Sequence, residues 1–187
     1  MTKPRKRKNY IPVTVPFKAT PAGETPSIAQ WAHPMVWTDR MLATLETGVR
    51  GGKWHTVIDK VFDRRNLFFF ARKVLGKKGA AGVDNQTVGN FAEHERKEIA
   101  RLQTQLREGT YRPALVRRTW IPKPGSSEKR PLGIPTVRDR VAQTALVHVI
   151  EPILDNEFPE RSYGFRHGRS CHDALRRIEE LLEEGYV

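Results

Sequence analysis

Between Arg112 and Arg140 the sequence carries eight cationic side chains: Arg112, Arg117, Arg118, Lys123, Lys129, Arg130, Arg138 and Arg140. Only Glu128 and Asp139 oppose them. Cations at that density grip phosphates. If about six to eight phosphates were neutralised, affinity would fall steeply with salt. Lys123 stands between Pro122 and Pro124, on a stiffened segment beside a flexible turn. A fixed ammonium there suits a phosphate that must be held and released. Arg117 and Arg118 are adjacent on one strand, so they face opposite sides and at most one meets a given nucleic-acid backbone. Other chemistries find less support. Glu179, Glu180, Glu183 and Glu184 have the spacing of a solvated acidic helix face rather than of metal ligands. His167 falls in a turn and His172 in the first turn of a helix, an unfavourable pair for metal or acid–base work. Cys171 is the only cysteine, so neither an internal disulfide nor a cysteine-rich zinc site is expected. The stretch Gly76-Lys77-Lys78-Gly79-Ala80-Ala81-Gly82 lacks the spacing of a Walker phosphate loop and is taken as a basic turn.

These side chains need elements to position them. Leu115 to Ile121 is β-branched and aromatic enough for a strand, Pro124 to Ser127 makes a turn, and Lys129 to Ile134 returns as a partner. Pro122 and Pro131 lack a ladder amide, so an irregular or edge hairpin is expected. Thr136-x-x-Asp139 begins a helix in the manner of a capping box. Val141, Ala142, Ala145, Leu146, Val149, Ile150, Ile153 and Leu154 then recur at helical spacing. A helix over 90–108 is expected to start at an Asn90 cap, bury Ile99, Leu102 and Leu106, and stop at Gly109. Val57, Ile58, Val61 and Phe62 mark an earlier helix. Asn66 is the expected cap of the next, which runs through Leu67, Phe68, Phe69, Phe70 and Val74. Its phenylalanines could stack on bases, but core packing is favoured. Ser170-x-x-Asp173 introduces a last helix with Leu175, Ile178 and Leu182 on one face.

The chain has 187 residues, enough for one domain with a real core and a tail. Its 33 Lys and Arg against 21 Asp and Glu give a net charge of +12. That field favours polyanions, nucleic acid before acidic membranes, over a merely solvated surface. No apolar run reaches the ~20 residues of a membrane span, and no signal-like apolar core follows the basic start. A cytoplasmic, reducing setting is expected. Residues 1–30, with Pro4, Pro12, Pro16, Pro21 and Pro26, have the composition of a mobile arm.

Four stretches then carry a resemblance. They are Gly79-Ala80-Ala81-Gly82-Val83-Asp84; Tyr111-Arg112-Pro113-Ala114-Leu115-Val116-Arg117-Arg118; Ile121-Pro122-Lys123-Pro124 with Arg130-Pro131-Leu132-Gly133-Ile134-Pro135-Thr136-Val137-Arg138-Asp139-Arg140; and Ser162-Tyr163-Gly164-Phe165-Arg166-His167-Gly168-Arg169-Ser170-Cys171-His172-Asp173-Ala174-Leu175. In this order and spacing they resemble the first blocks of group II intron reverse transcriptases, the intron-encoded maturases, over about residues 55–187.

The resemblance implies an α+β fold. An N-terminal helical segment (31–76) would precede a fingers-like subdomain of a right-hand polymerase (77–187), with a short antiparallel β-hairpin and the palm truncated. It implies that Lys123 and Arg130 meet the triphosphate of the incoming dNTP. Gly79, Gly82 and Asp84 would hold the template–primer end. RNA or an RNA–DNA duplex would lie along Arg112, Arg117, Arg118, Arg138, Arg140, Tyr163, Phe165, Arg166 and Arg169. Phosphoryl transfer needs two metal ions. In the family Mg²⁺ is held by an aspartate on the strand after the final helix and by a later Tyr-x-Asp-Asp turn. The sequence has no Asp-Asp pair and ends at Gly185-Tyr186-Val187. The expectations are therefore no bound metal and no catalytic residue in this chain alone, Asp84, Asp139 and Asp173 acting as turn and cap residues, and a palm fragment as a partner. A stand-alone RNA-binding module and a split or inert remnant of a mobile element stay open. Three departures stand out: His167 where the family has proline, Asn85 where glycine is common, and a hairpin tip, Gly125 to Lys129, one residue longer than the family pattern, which leaves Lys129 a less secure phosphate ligand than Arg130.

Overall fold

The computed structural model of the protein describes Ile28, residues 32–47 and residues 57–186. The arm expected over 1–30 lies outside the described residues apart from Ile28. Among the described residues there are seven helices and one two-stranded antiparallel sheet, an α+β fold. The described residues divide into two units, one within residues 26–162 and one over 163–186.

The larger unit begins with α1 (Asp39–Thr47), α2 (Ile58–Phe62) and α3 (Arg64–Gly76). The α3 cap is Asp63, three residues before the expected Asn66. Its Oδ1 accepts from the amides of Arg65 and Asn66 at 2.9 and 3.2 Å. Asp caps as well as Asn, and Arg64 and Arg65 extend the helix backwards. Asn66 is instead buried, where its Nδ2 donates to the Lys60 carbonyl at 2.9 Å and joins α3 to α2. Leu67, Phe70, Ala71 and Val74 share the buried face of α3, and Phe68 and Phe69 pack at its margin. The core assignment of the phenylalanines therefore holds. Each fully buried large side chain contributes roughly 1.5–3 kcal/mol of transfer free energy.

The single helix expected over 90–108 is two, α4 (Val88–Glu93) and α5 (Glu95–Arg107), broken at His94. Thr87, not Asn90, is the cap; it accepts from the Asn90 amide at 3.1 Å. Ile99 and Leu102 are buried, and Leu106 is half-buried at the edge. Gly109, at φ +68°, ends α5 as expected. The left-handed residue lets the amides of Thr110 and Tyr111 turn back to the Gln105 carbonyl.

The long helix α6 (Val137–Glu157) lies against α3 and α2 and buries Val137, Val141, Ala142, Ala145 and Val149. Leu146 and Leu154, expected on the same stripe, are 42% and 47% exposed. α6 contains Pro152, which cannot donate to the carbonyl four residues back, that of His148. The indole Nε1 of buried Trp37 donates to that carbonyl at 3.1 Å. A side chain 111 positions away in sequence thus satisfies the group that proline leaves without its helical partner.

Strands β1 (Arg117–Pro122) and β2 (Lys129–Ile134) form a regular hairpin, with Arg117 opposite Ile134 and Pro122 opposite Lys129. The smaller unit holds α7 (Cys171–Glu183). Ser170 accepts from the Asp173 amide, and Asp173 accepts from the Ser170 amide, a complete capping box as expected. Leu175, Ile178 and Leu182 on α7 are 54–61% exposed, and no residue of the helix is buried. No described helix is long and apolar enough to cross a membrane.

Candidate nucleic-acid interface

The hairpin has two chemically different faces. The Lys123 amide donates to the Glu128 carbonyl at 2.9 Å, which makes Lys123 and Glu128 a hydrogen-bonded pair and sets the phase of the ladder. Antiparallel pairs alternate. Ile121–Arg130, Thr119–Leu132 and Arg117–Ile134 are therefore also hydrogen-bonded pairs, and their side chains share one face with Lys123 and Glu128. Pro122–Lys129, Trp120–Pro131 and Arg118–Gly133 are the non-hydrogen-bonded pairs and share the other. Both prolines fall where the amide would point away from the partner strand. The ladder loses nothing, and of the two expected forms the hairpin is the edge one, both strands being edges of a two-stranded sheet.

On the first face Lys123 and Arg130 are diagonal neighbours, with half-buried Arg117 further along. The Lys123 Nζ makes an ion pair with Glu128 Oε2 at 2.6 Å, both side chains largely in solvent. The tip is closed by Gly125 at φ +71° and by the Ser126 hydroxyl, which accepts from the Glu128 amide at 3.1 Å.

At the foot of the hairpin the Asp139 carboxylate is 1% exposed. It accepts from the Tyr111 hydroxyl at 2.5 Å and from the Ala114 amide at 3.0 Å, while its own amide donates to the Thr136 hydroxyl. Thr136 caps α6 as expected, but the Asp139 carboxylate does not return to the Thr136 amide to complete a capping box; it clamps the segment that leads into β1 onto the start of α6. Burial, and next the Asp139 hydrogen bond, push the Tyr111 phenol far above its usual range. Arg138 lies over the Tyr111 ring at 5.9 Å. Arg140 donates to the Ala80 carbonyl at 2.8 Å and packs on Gly79. A Cβ on Gly82 would come within 2.7 Å of the Thr136 backbone, so only glycine allows this close docking against α6. Arg112 turns its Nη1 to the carbonyls of Gly109 and Tyr111. Among the nominated arginines, Arg118 and Arg130 are the exposed pair on the hairpin, whereas Arg140 and Arg112 hold loops.

The foot also encloses an open cleft of about 680 Å³, lined by Asp84, Asn85, Gln86, Thr87, Asn90, Glu98, Arg101, Ala114, Thr136 and Arg138. Two nominated residues meet here, Asp84 and Arg138. Asp84 accepts from the Gln86 amide at 3.2 Å, a turn role as expected, and Asn85 takes the left-handed conformation at φ +55°. Asn90, Glu98 and Arg101 were not nominated from sequence. Glu98 and Arg101 are one turn apart on the flank of α5 beside buried Ile99 and Leu102, which a helical wheel would have shown.

In the smaller unit Phe165 is fully exposed at φ +58°, and Arg169 lies over the Tyr163 ring at 5.7 Å. Arg166 is half-buried. The Ser170 hydroxyl, then its amide, hold the Asp173 carboxyl below the usual carboxylate range. Among the described residues no three His, Cys, Asp or Glu side chains come together as metal ligands. With Asp139 and Asp173 committed to internal hydrogen bonds and Asp84 to its turn, these carboxylates do not fit a metal pair.

Residues 121–186 match the family described as Reverse transcriptase (RNA-dependent DNA polymerase). The group II intron-encoded protein LtrA of Lactococcus lactis subsp. cremoris is 38% identical over 132 residues, 65% of this chain and 22% of LtrA. Protein YkfC of Escherichia coli K12 is 40% identical over 116 residues, 61% of this chain and 30% of YkfC. Nuclear intron maturase 2, mitochondrial, of Arabidopsis thaliana is 42% identical over 50 residues, 27% of this chain and 7% of the maturase. The chain is thus related to the group II intron reverse transcriptases and maturases, as its four sequence blocks indicated. It spans less than a third of the length of LtrA and YkfC.

Proposed function

We propose that this chain supplies the fingers part of a group II intron-type RNA-directed DNA polymerase, gripping template RNA and the triphosphate of the incoming dNTP. The observation that carries the reading is the diagonal placement of Lys123 and Arg130 on one hairpin face. A point charge and a planar fork there can take different oxygens of one polyphosphate. Glu128 occupies the Lys123 ammonium at 2.6 Å and is the counterion a phosphate would displace. The pair is exposed, so displacing it costs little, of order 0–1 kcal/mol. The Mg²⁺ ions of the family reaction would be held by carboxylates other than Asp84, Asp139 and Asp173. A palm polypeptide would find an apolar surface in Leu175, Ile178 and Leu182 of α7.

RNA would lie along Arg112, Arg117 and Arg118 rather than along Lys123 and Arg130 and, in the smaller unit, against Phe165 and its neighbouring arginines. The test is binding of a template RNA by the chain across a salt series. Replacing Arg112, Arg117 and Arg118 together with Ala should weaken binding and flatten the salt slope by about two units, roughly 0.7 for each charge on a single strand. An unchanged slope would place the RNA elsewhere. A second reading, an RNA-binding module that never meets a palm, also draws on Glu128. A lysine already paired across a turn equally serves as a tip fastener, and the two readings part on nucleotide dependence.

A further inference from the structure

We propose that the outward face of the hairpin is a stacking platform for one unpaired RNA base, with Trp120 as the platform and Arg118 and Lys129 as its phosphate contacts; this rests on the RNA-binding reading above. Trp120 is 55% exposed. It sits opposite Pro131 at a non-hydrogen-bonded pair, where cross-strand side chains are closest. Its flanking pairs are Arg118–Gly133 on one side and Pro122–Lys129 on the other. Gly133 adds no side chain to this face, where Val116 lies over it, and the indole remains more than half exposed. Glu128, the nearest carboxylate in sequence, belongs to the opposite face, where it holds Lys123. The Trp120 face thus presents one large π-surface between two cations, with no acid on either strand.

An exposed tryptophan alone would need no explanation. Tryptophan between cations is the arrangement by which proteins hold single-stranded nucleic acid without reading its sequence: the ring takes the base face and the cations take the backbone. Arg118 and Trp120 are two residues apart, about 7 Å along the strand, which lets base and adjoining phosphate be met together. Bases inside a duplex offer no free face, so the platform selects unpaired RNA.

The test uses the 187-residue chain with a labelled oligouridine strand and a blunt RNA duplex. Trp120→Ala should weaken oligouridine binding by about fivefold to a hundredfold and leave its salt slope unchanged, since no charge is removed. Duplex binding should stay within about twofold. Trp120→Phe should retain most of the affinity, because a π-face remains. Lys129→Ala should instead flatten the single-strand salt slope by about 0.7. Should Trp120→Ala disturb the hairpin, Trp120→Leu keeps apolar bulk without a ring and carries the same expectation. Oligouridine binding unchanged in both, or an equal loss on strand and duplex, would overturn the platform while leaving RNA binding intact. A wild-type chain that binds neither RNA would sink the RNA reading itself, and the platform with it.

Discussion

Asp139 brings a carboxylate into a site 1% exposed, which is tolerable because two donors and its place in the first turn of α6 satisfy it. Removing one side of that arrangement strands the other. Tyr111→Phe should cost about 1.5–3 kcal/mol, the range for hydrogen bonds to charged groups. Asp139→Asn should cost at least as much, because the amide cannot accept both bonds with equal strength. Urea denaturation measures both, and a double variant no worse than Asp139→Asn alone would confirm one shared contact. The sequence marked Asp139 as a cap because Thr136 stands three residues earlier. Its partners Tyr111 and Ala114 are more than twenty positions away, and no local spacing rule reaches that far. The same holds for Arg140. It was nominated for nucleic acid because of its charge, whereas its bond to Ala80 and its packing on Gly79 arise only once the loop docks on α6.

Among the elements, hairpin and helices were legible where chemistry repeats locally: the proline-bounded turn, the α7 capping box, the apolar stripe of α6. What escaped was the break at His94 and the cap at Asp63, each a choice between several acceptable capping residues a turn apart. Pro152 escaped because its cost is met from outside the helix. Trp37→Phe removes the donor to the His148 carbonyl and should destabilise by about 1–3 kcal/mol for the stranded carbonyl. In a Pro152→Ala background the restored amide competes for that carbonyl, so the Trp37→Phe penalty should shrink. Equal penalties in both backgrounds would show that Trp37 acts by packing alone. For α7, the folded Asp173 carboxyl is held low, so its contribution is present above the unfolded carboxylate value and is lost as pH falls through the folded one. The N-terminal turn of α7 should therefore loosen below about pH 4. Amide exchange at Ala174 should report this, and Asp173→Asn should remove the pH dependence.

At the scale of the whole molecule, a net charge of +12 and a basic hairpin would make the proposed RNA affinity a salt-governed quantity, and the similarity to group II intron reverse transcriptases motivates that proposal. The 187-residue chain alone should make no DNA on a primed RNA template with Mg²⁺ or Mn²⁺, because Asp84, Asp139 and Asp173 are committed elsewhere. Template-dependent extension by rigorously purified material would contradict this. The measurement that tests the central claim most directly is the nucleotide dependence of synthesis by a fusion joining this chain to the later part of a related reverse transcriptase. With Lys123→Ala or Arg130→Ala, the dNTP concentration for half-maximal synthesis should rise by about tenfold or more, as loss of a charge-assisted phosphate bond requires, while RNA affinity changes little. Arg130→Lys should rescue poorly. An active fusion whose nucleotide dependence is the same in both Ala variants would contradict the account.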